Sequence, residues 1–415
     1  MLYHRAQMSD LARRVDELVG RREERLVALR RELHARPEES WQERGTTARL
    51  RGVLERAGLT VTQFDGPGLS VDLGPRSTTG AGDAVPDITA LRADIDALPV
   101  METSGLPFAS RVDGVAHACG HDVHAAALVG ACLALAEIDA AEGLPAPVRC
   151  LFQPAEEVQP GGAQALMAEG VLDGVRGIFA LHTDPKVDVG MVGSRIGPIT
   201  AATDALTVTV SSAGGHTSRP HLTGDVVFAL GQVITQVPAV LGRRLDPRAG
   251  VNLTWGAVHA GTAPNAIPAA GTVAGTIRCL DGRVWDEAGE VAAQVVHEIV
   301  APYNVRVDVQ RRRGLPPVVN EERATRFLDA AAKDLLGDES VVLTEQSLGG
   351  EDFAWYLTEV PGALLRLGTR TPGGITYDLH RGDIVFDERA IGVGARILAL
   401  AALRAGHDPA GVFLD

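Results

Sequence analysis

The sequence predicts an α/β protein interrupted by a smaller α+β domain, and three observations carry that expectation. At 415 residues the chain exceeds what one hydrophobic core usually supports, so two domains are expected. In the first half, short β-branched runs alternate with helical ones, which is the α/β signature. From about residue 203 the order becomes strand, helix, strand, strand, helix, strand, the βαββαβ order of a ferredoxin-like unit.

Taken in order, "MLYHRAQMSDLARRVDELVGRREERLVALRREL" lacks an apolar signal core and has a charged amphipathic helix pattern. The low-complexity stretch "PRSTTGAGDAVPD" (75–87) is expected as a surface loop before the strand "DITALRAD". An Ala- and Leu-rich run after Asp122 predicts a helix with Asp122 as its N-cap. The strand "PVRCLFQ", a Gly-rich helix and the strand "GIFALH" follow. The second grammar begins with strand "DALTVTVSS" and helix "DVVFALGQVITQVPAVLGRR", then the paired strands "GVNLTWGAV" and "GTVAGTIRCL". Helix "WDEAGEVAAQVVHEIVAPY" and strand "VRVDVQ" complete it. The first grammar then resumes with a helix over 321–336, the strand "GALLRLG" and a final Ala/Leu-rich helix from about 388. Expected domain bounds are 1–200 and 313–415 for the two segments of the larger domain and 201–312 for the insertion.

Composition narrows the function. An apolar fraction of 45% with 22% charged residues is that of an ordinary globular chain. The 39 basic against 53 acidic residues give a formal charge of -14, which argues against a nucleic-acid partner, because phosphate binding needs a basic face. No uninterrupted apolar run reaches the ~18 residues of a membrane span, so no membrane partner is expected. Four cysteines lie far apart without CxxC spacing, matching neither a disulfide framework nor a zinc ribbon; a reducing cytoplasm is expected.

Polar residues then fall at the ends of buried strands: Asp94 and Asp96, Glu156 and Glu157, His182. Ligands bind beyond the carboxyl ends of strands in open α/β sheets, and "HACGHDVH" (117–124) occupies the same kind of place. Gathered carboxylates, imidazoles and a thiol repel and are desolvated unless a cation compensates. Such donors suit Mn, Zn, Co or Ni, with a thiolate favouring the softer of these. More than three candidate ligands point to two metals, leaving one acid of the "EE" pair free as a general base for metal-activated water. The implied chemistry is hydrolysis. Thiol catalysis at Cys119, with His121 or His124 as base, is the other chemistry these residues allow, though it leaves "EE" and His182 without a role.

In order along the chain, "HACGHDVH", "FQPAEEVQPGGAQALMAEGVL", "ALHTDPKVDVG", "GGHTSRPH", "GTAPNAIP", "GTIRCLD", "GGEDFAWY" and "LH" at 379–380 resemble the dinuclear metallo-amidohydrolases. That family includes bacterial hippurate hydrolase, N-acyl amino acid amidohydrolases and plant auxin-conjugate hydrolases, with aminoacylase and glutamate carboxypeptidase as distant relatives. The resemblance implies a metallopeptidase-type catalytic domain with a central mixed sheet flanked by helices, plus a ferredoxin-like lid and dimerisation domain. It implies two divalent metals held by Cys119, His121, Glu157, His182 and His380, with Glu156 as catalytic base. His216 would reach a neighbouring subunit's site in a homodimer to stabilise the oxyanion, and Asn265 and Arg278 would contact substrate. The implied substrate is a small amide, an N-acyl amino acid, with a dipeptidase or carboxypeptidase, or a metal-binding protein without catalysis, as the alternatives.

The chain departs from the pattern at two places. Asp94 stands where distant relatives carry a ligand histidine, while Asp96 keeps the role of orienting a ligand imidazole. Thr217 and Ser218 stand where hippurate hydrolase-like members more often have Gly or Ala.

Overall fold

The computed structural model describes residues 2–75 and 87–408, with side chains from Ser9 onward. All but Pro75 and Asp87 of the loop expected over 75–87 lie outside the described residues. The N-terminal pattern forms two helices, Leu2–Gly20 and Glu23–His34, rather than one. Their apolar positions, Leu11, Val15, Leu18 and Leu26, Leu29, Leu33, recur at helical spacing and are buried.

The chain divides into two compact units. Within the described residues the first comprises the chain up to Gly197, Val319–Glu345 and the chain from Trp355, and the second comprises Pro198–Val318 and Gln346–Ala354. The first is built on an eight-stranded mixed sheet, in spatial order Thr62–Gln63, Leu69–Leu73, Val148–Gln153, Ile88–Asp94, Val175–Asp188, Gly362–Arg370, Val192–Ser194 and Val341–Leu343. The four strands from Val148–Gln153 to Gly362–Arg370 run parallel, and an antiparallel pairing flanks them on each side.

Helix His121–Glu142 is apolar nearly all round because it is covered on several sides, by the sheet and by helices Glu23–His34 and Arg389–Gly406. Gly130 allows that close approach: a Cβ there would sit 2.8 Å from both Ala395 Cβ and Leu26 Cδ1. This helix and Val226–Arg244 are long and apolar enough to cross a membrane by composition, but each lays buried residues on its own unit's core.

The second unit has the predicted βαββαβ order. Its sheet runs Asn252–Ala260, Ala270–Cys279, Ala202–Ser211, Arg306–Arg313, antiparallel throughout, with helices Val226–Arg244 and Gly282–Val300 contributing to one core. Ala202–Ser211 alternates strictly, burying Leu206, Val208 and Val210. Asp225 and Asp281 cap the two helices through Phe228 N (3.0 Å) and Arg283 N (2.8 Å).

The structure shifts the sequence-based bounds of 1–200, 201–312 and 313–415 at the C-terminal side of the insertion. Residues 313–318 stay with the second unit because Gly314 N donates to Asp204 Oδ1, Thr203 N to Leu315 O and Val318 N to Thr200 Oγ1. Residues 346–354 join it through Ser347 N to Ile199 O and Arg278 Nη1 to Leu348 O.

Candidate metal centre and active site

Three parallel strands of the first unit aim at one rim. Ile88–Asp94 leads to Asp96, Val148–Gln153 leads through Pro154 to Glu156 and Glu157, and Val175–Asp188 carries His182. His182 was expected at a strand end but lies mid-strand. The pairing of Val175–Asp188 with Ile88–Asp94 stops at Ala180, so the open edge beyond it leaves room for the imidazole. The segment "HACGH" arrives beside it. Gly120, φ 86°, makes the turn into the helix, and a Cβ there would lie 2.7 Å from Thr183 Cγ2.

These residues meet. Cys119 Sγ lies 3.5 Å from His182 Nε2; Glu157 Oε1 lies 3.4 Å from His380 Nε2 and 3.8 Å from His121 Nε2. The donor atoms form overlapping groups, each within 4.8 Å: Cys119, His121 and His182; Cys119, Glu157 and His380; His121, Glu156 and Glu157. His380 is brought in by a loop whose backbone is pinned by its own N–H to Ala118 O at 2.9 Å.

A second layer of bonds aims the rings. Asp96 Oδ1 takes His121 Nδ1 at 2.9 Å, and Thr183 O takes His182 Nδ1 at 2.8 Å, so each ring turns Nε2 into the cluster. Thr183 also donates its hydroxyl to Cys119 O (2.6 Å) and its N–H to His124 Nε2 (2.8 Å). His124 Nδ1 bonds Asp94 Oδ1 at 2.5 Å, so both its nitrogens are engaged and it is no base for Cys119. Asp94, the departure from the distant relatives, has its other oxygen on Arg92 Nη1 at 2.6 Å. Burial would raise the Asp94 carboxyl, but His121, His124 and Arg92 hold it well below its ordinary value.

The field of the cluster is negative. Burial alone would lower His121, but Asp94, Cys119 and the bond to Asp96 raise it well above its ordinary value. His380 is pushed up to about 10 by Cys119 and Glu157. Burial, with Glu157 next, raises the Cys119 thiol, which works against a thiolate nucleophile. Burial, with Arg366 next, holds His182 well below its ordinary value, so its imidazole is neutral and available as a donor.

A divalent cation fits these donors. His121 Nε2 and Glu157 Oε1 are buried without a hydrogen-bond partner, a condition costing roughly 1–3 kcal/mol per group unless something polar or cationic completes it. One thiol, carboxylates and three imidazoles form a donor set suited to borderline-soft divalent ions.

In the second unit, His216 sits on the two-residue strand Gly215–His216, paired to Ala266–Ile267 next to Asn265. Thr217 N donates to Asn265 O at 3.3 Å, so these two candidates are neighbours. Arg278 lies near the end of Ala270–Cys279, its guanidinium on Leu348 O. Ser218, the other departure, has a job: its N–H (3.1 Å) and hydroxyl (2.8 Å) both reach His216 Nδ1. A backbone N–H only donates, so Nδ1 accepts and the neutral ring carries its proton on Nε2.

Two features lay outside the sequence expectation. Asp122 is no N-cap, since Gly120 holds that position; its carboxylate instead takes Arg30 Nε (2.6 Å) and His34 Nδ1 (2.8 Å) in a buried network. The segment 38–43 wraps the loop carrying Glu156, through long-range bonds that no local pattern announces.

Comparison with known proteins gives the family. The model of Peptidase family M20/M25/M40 matches residues 90–404. A Rhodococcus jostii (strain RHA1) protein named "Putative glutamate--cysteine ligase 2-3" is 46% identical over 94% of this chain, and the chain spans about half, 47%, of that relative's length. The N-acetyl-L-cysteine deacetylase of Bacillus subtilis (strain 168) is 36% identical over 89% of this chain and 85% of its own. A crystal structure described as a dinuclear metal binding peptidase from the M20 family, also from Bacillus subtilis, superposes with a TM-score of 0.79 at 33% identity, covering 92% of this chain and 98% of that one. The chain therefore belongs to Peptidase family M20/M25/M40, which places it among the metal-dependent hydrolases of amide bonds.

Proposed function

We propose that the protein hydrolyses the amide bond of small N-acyl amino acids, using two divalent ions held by Cys119, His121, Glu157, His182 and His380. The observation that carries this is the cluster itself: five donors in overlapping groups, two of them buried polar atoms without partners, with the Glu156 carboxylate beside His121 and Glu157. Naming of one relative as an N-acetyl-L-cysteine deacetylase supports a small acyl group. Metal identity among Mn, Zn, Co and Ni is part of the proposal, as is a homodimer in which His216 serves the partner's site.

Bound divalent ions supply Lewis acidity, bringing the pKa of water toward neutrality and polarising a carbonyl. Glu156 takes the proton of the attacking water and returns it to the leaving amine. Asp96 holds His121, and with it the geometry around that base, while His216 offers its Nε2 proton to the oxyanion of the tetrahedral intermediate. Asn265 and Arg278 face the remainder of the substrate, the guanidinium suiting an α-carboxylate.

The test is a panel of N-acetyl and N-benzoyl amino acids and dipeptides, offered to protein loaded in turn with Mn, Zn, Co or Ni, beside Glu156→Gln. Turnover of N-acyl amino acids, lost in Glu156→Gln while two metals per chain remain, is the expected result. Preferential cleavage of dipeptides would move the substrate assignment to a peptidase. Loss of metal in Glu156→Gln would end the role of Glu156 as a general base distinct from the metal ligands.

A further inference from the structure

Glu43 occupies the N-cap position of helix Arg44–Arg56, yet its side chain caps nothing there. The first amides of that helix, Gly45 N (2.9 Å) and Thr46 N (2.7 Å), are taken by Glu38 instead. Glu43 turns inward, fully buried, and its Oε1 accepts from Ala155 N at 2.7 Å. Ala155 sits at φ 51°, a left-handed conformation that a residue with a Cβ adopts only when its surroundings hold it there. It immediately precedes Glu156.

The residue after Glu156 is held in the same way. Glu157 N donates to Asp96 Oδ2 at 2.9 Å, and that oxygen also accepts the Ser40 hydroxyl at 2.8 Å. Farther along the same loop, Trp41 Nε1 donates to Pro160 O at 3.2 Å. The segment making these contacts is itself anchored, by Ala97 N to Glu38 O at 2.9 Å. Two buried carboxylates thus grip the amides on either side of Glu156. The arrangement has a cost that helix capping does not require: Glu43 Oε2 is buried without a partner, and burial pushes this carboxyl up to about 7.

We propose that residues 38–43 form a clamp that fixes the direction of Glu156, with Glu43 as its positioning residue acting through the Ala155 amide. This rests on Glu156 being the base, and it adds a residue that touches neither substrate nor metal. A clamp of this kind acts on the chemical step. Glu156 misdirected by about 1 Å slows proton transfer while the ligand set and the substrate contacts stay in place.

The experiment compares wild type, Glu43→Leu, Glu43→Gln and Glu156→Gln as full-length metal-loaded proteins, reading kcat, KM, bound metal and thermal midpoint. Glu43→Leu keeps the volume and removes the acceptor; kcat is expected to fall roughly 10- to 100-fold with KM and metal content unchanged. Glu43→Gln restores the acceptor and is expected to return kcat to within about threefold of wild type. If Glu43→Leu does not fold, Glu43→Asp carries the test, because its shorter arm no longer reaches Ala155 N, and the same fall in kcat is expected. A kcat within threefold of wild type in the variant that folds, while Glu156→Gln is inactive, overturns the clamp and leaves the base in place. Loss of metal together with kcat also overturns it, by making Glu43 a structural residue. An active Glu156→Gln removes the base itself, a separate failure.

Discussion

The two units carry their candidate residues in opposite ways. In the first, Cys119 and His121 are about as buried as residues become, at 5% and 1% exposure, and the outer ring nitrogens of His121 and His182 are fixed by a carboxylate and a carbonyl, with His380 the one exposed member of the set. In the second, His216 and Asn265 are exposed, on a two-residue strand and the turn before its partner. The buried donors have few ways to rearrange and therefore hold their geometry before any ligand arrives. An exposed imidazole on a short ribbon is positioned only by its neighbours at i+2 and across the strand, so its effect should be confined to the step it serves.

That contrast breaks most visibly in a pair of alanine substitutions. His121→Ala should abolish turnover together with metal content, because the ring is a proposed metal ligand and also the partner of Asp96. His216→Ala should retain two metals per chain and lower kcat about 100- to 1,000-fold, the usual loss for one oxyanion donor. Metal analysis beside steady-state kinetics separates the two, and metal loss in His216→Ala would erase the distinction between the units. The same variant tests whether the ring serves a partner. Mixing His216→Ala with Glu156→Gln chains should restore about a quarter of wild-type activity if dimers exchange, because each heterodimer then holds one complete site. No recovery after exchange is demonstrated would place the ring with its own chain.

Legibility followed the same division. The α/β order and the ferredoxin-like order could be inferred because hydrophobic period and strand length are local properties, as in the alternation of Ala202–Ser211. Cys119, His121, Glu157 and His182 were visible because each lies in or beside a buried strand or a helix start, where such groups are costly without a purpose; His380, on an exposed loop, carried no such local signal and came from the family resemblance alone. Hidden were the bonds closing over long sequence separations: Glu43 to Ala155, Arg30 to Asp122, Thr183 to His124. Asp122 was misplaced for that reason, since an Asp at a helix start is locally indistinguishable from an N-cap until the burial of Arg30 beside it is known. The return of 346–354 to the second unit likewise depends on Ser347 meeting Ile199, some 150 positions earlier.

The buried side of the comparison also has a pH signature. Burial raises the Glu43 carboxyl to about 7 from an ordinary 4.5, so between those values the folded state binds more protons than the unfolded chain. Stability contributed by this site therefore falls as pH rises from 4.5 through 7, by up to about 3 kcal/mol. Glu43→Gln lacks that titration. Its unfolding free energy relative to wild type should be flat below pH 4.5, climb across this window and level off above it. Denaturant melts at pH 4.5, 6 and 8 read the difference directly, and a constant offset at all three would mean that Glu43 is paired in the fold.

The smallest effect belongs to the exposed side. Ser218 holds the His216 ring by two donors, and only the hydroxyl bond at 2.8 Å is lost in Ser218→Ala; the backbone N–H at 3.1 Å remains. Because that N–H still requires an accepting Nδ1, the tautomer with its proton on Nε2 survives and the proposed oxyanion donor is kept. What weakens is the hold on ring orientation, worth about 1 kcal/mol for a single hydrogen bond and so about a three- to tenfold fall in kcat. Ser218→Thr retains the hydroxyl and should recover most of it. A loss in Ser218→Ala as large as that in His216→Ala would show that the hydroxyl, rather than the backbone amide, sets the tautomer, and that this exposed ribbon is as tightly constrained as the buried cluster.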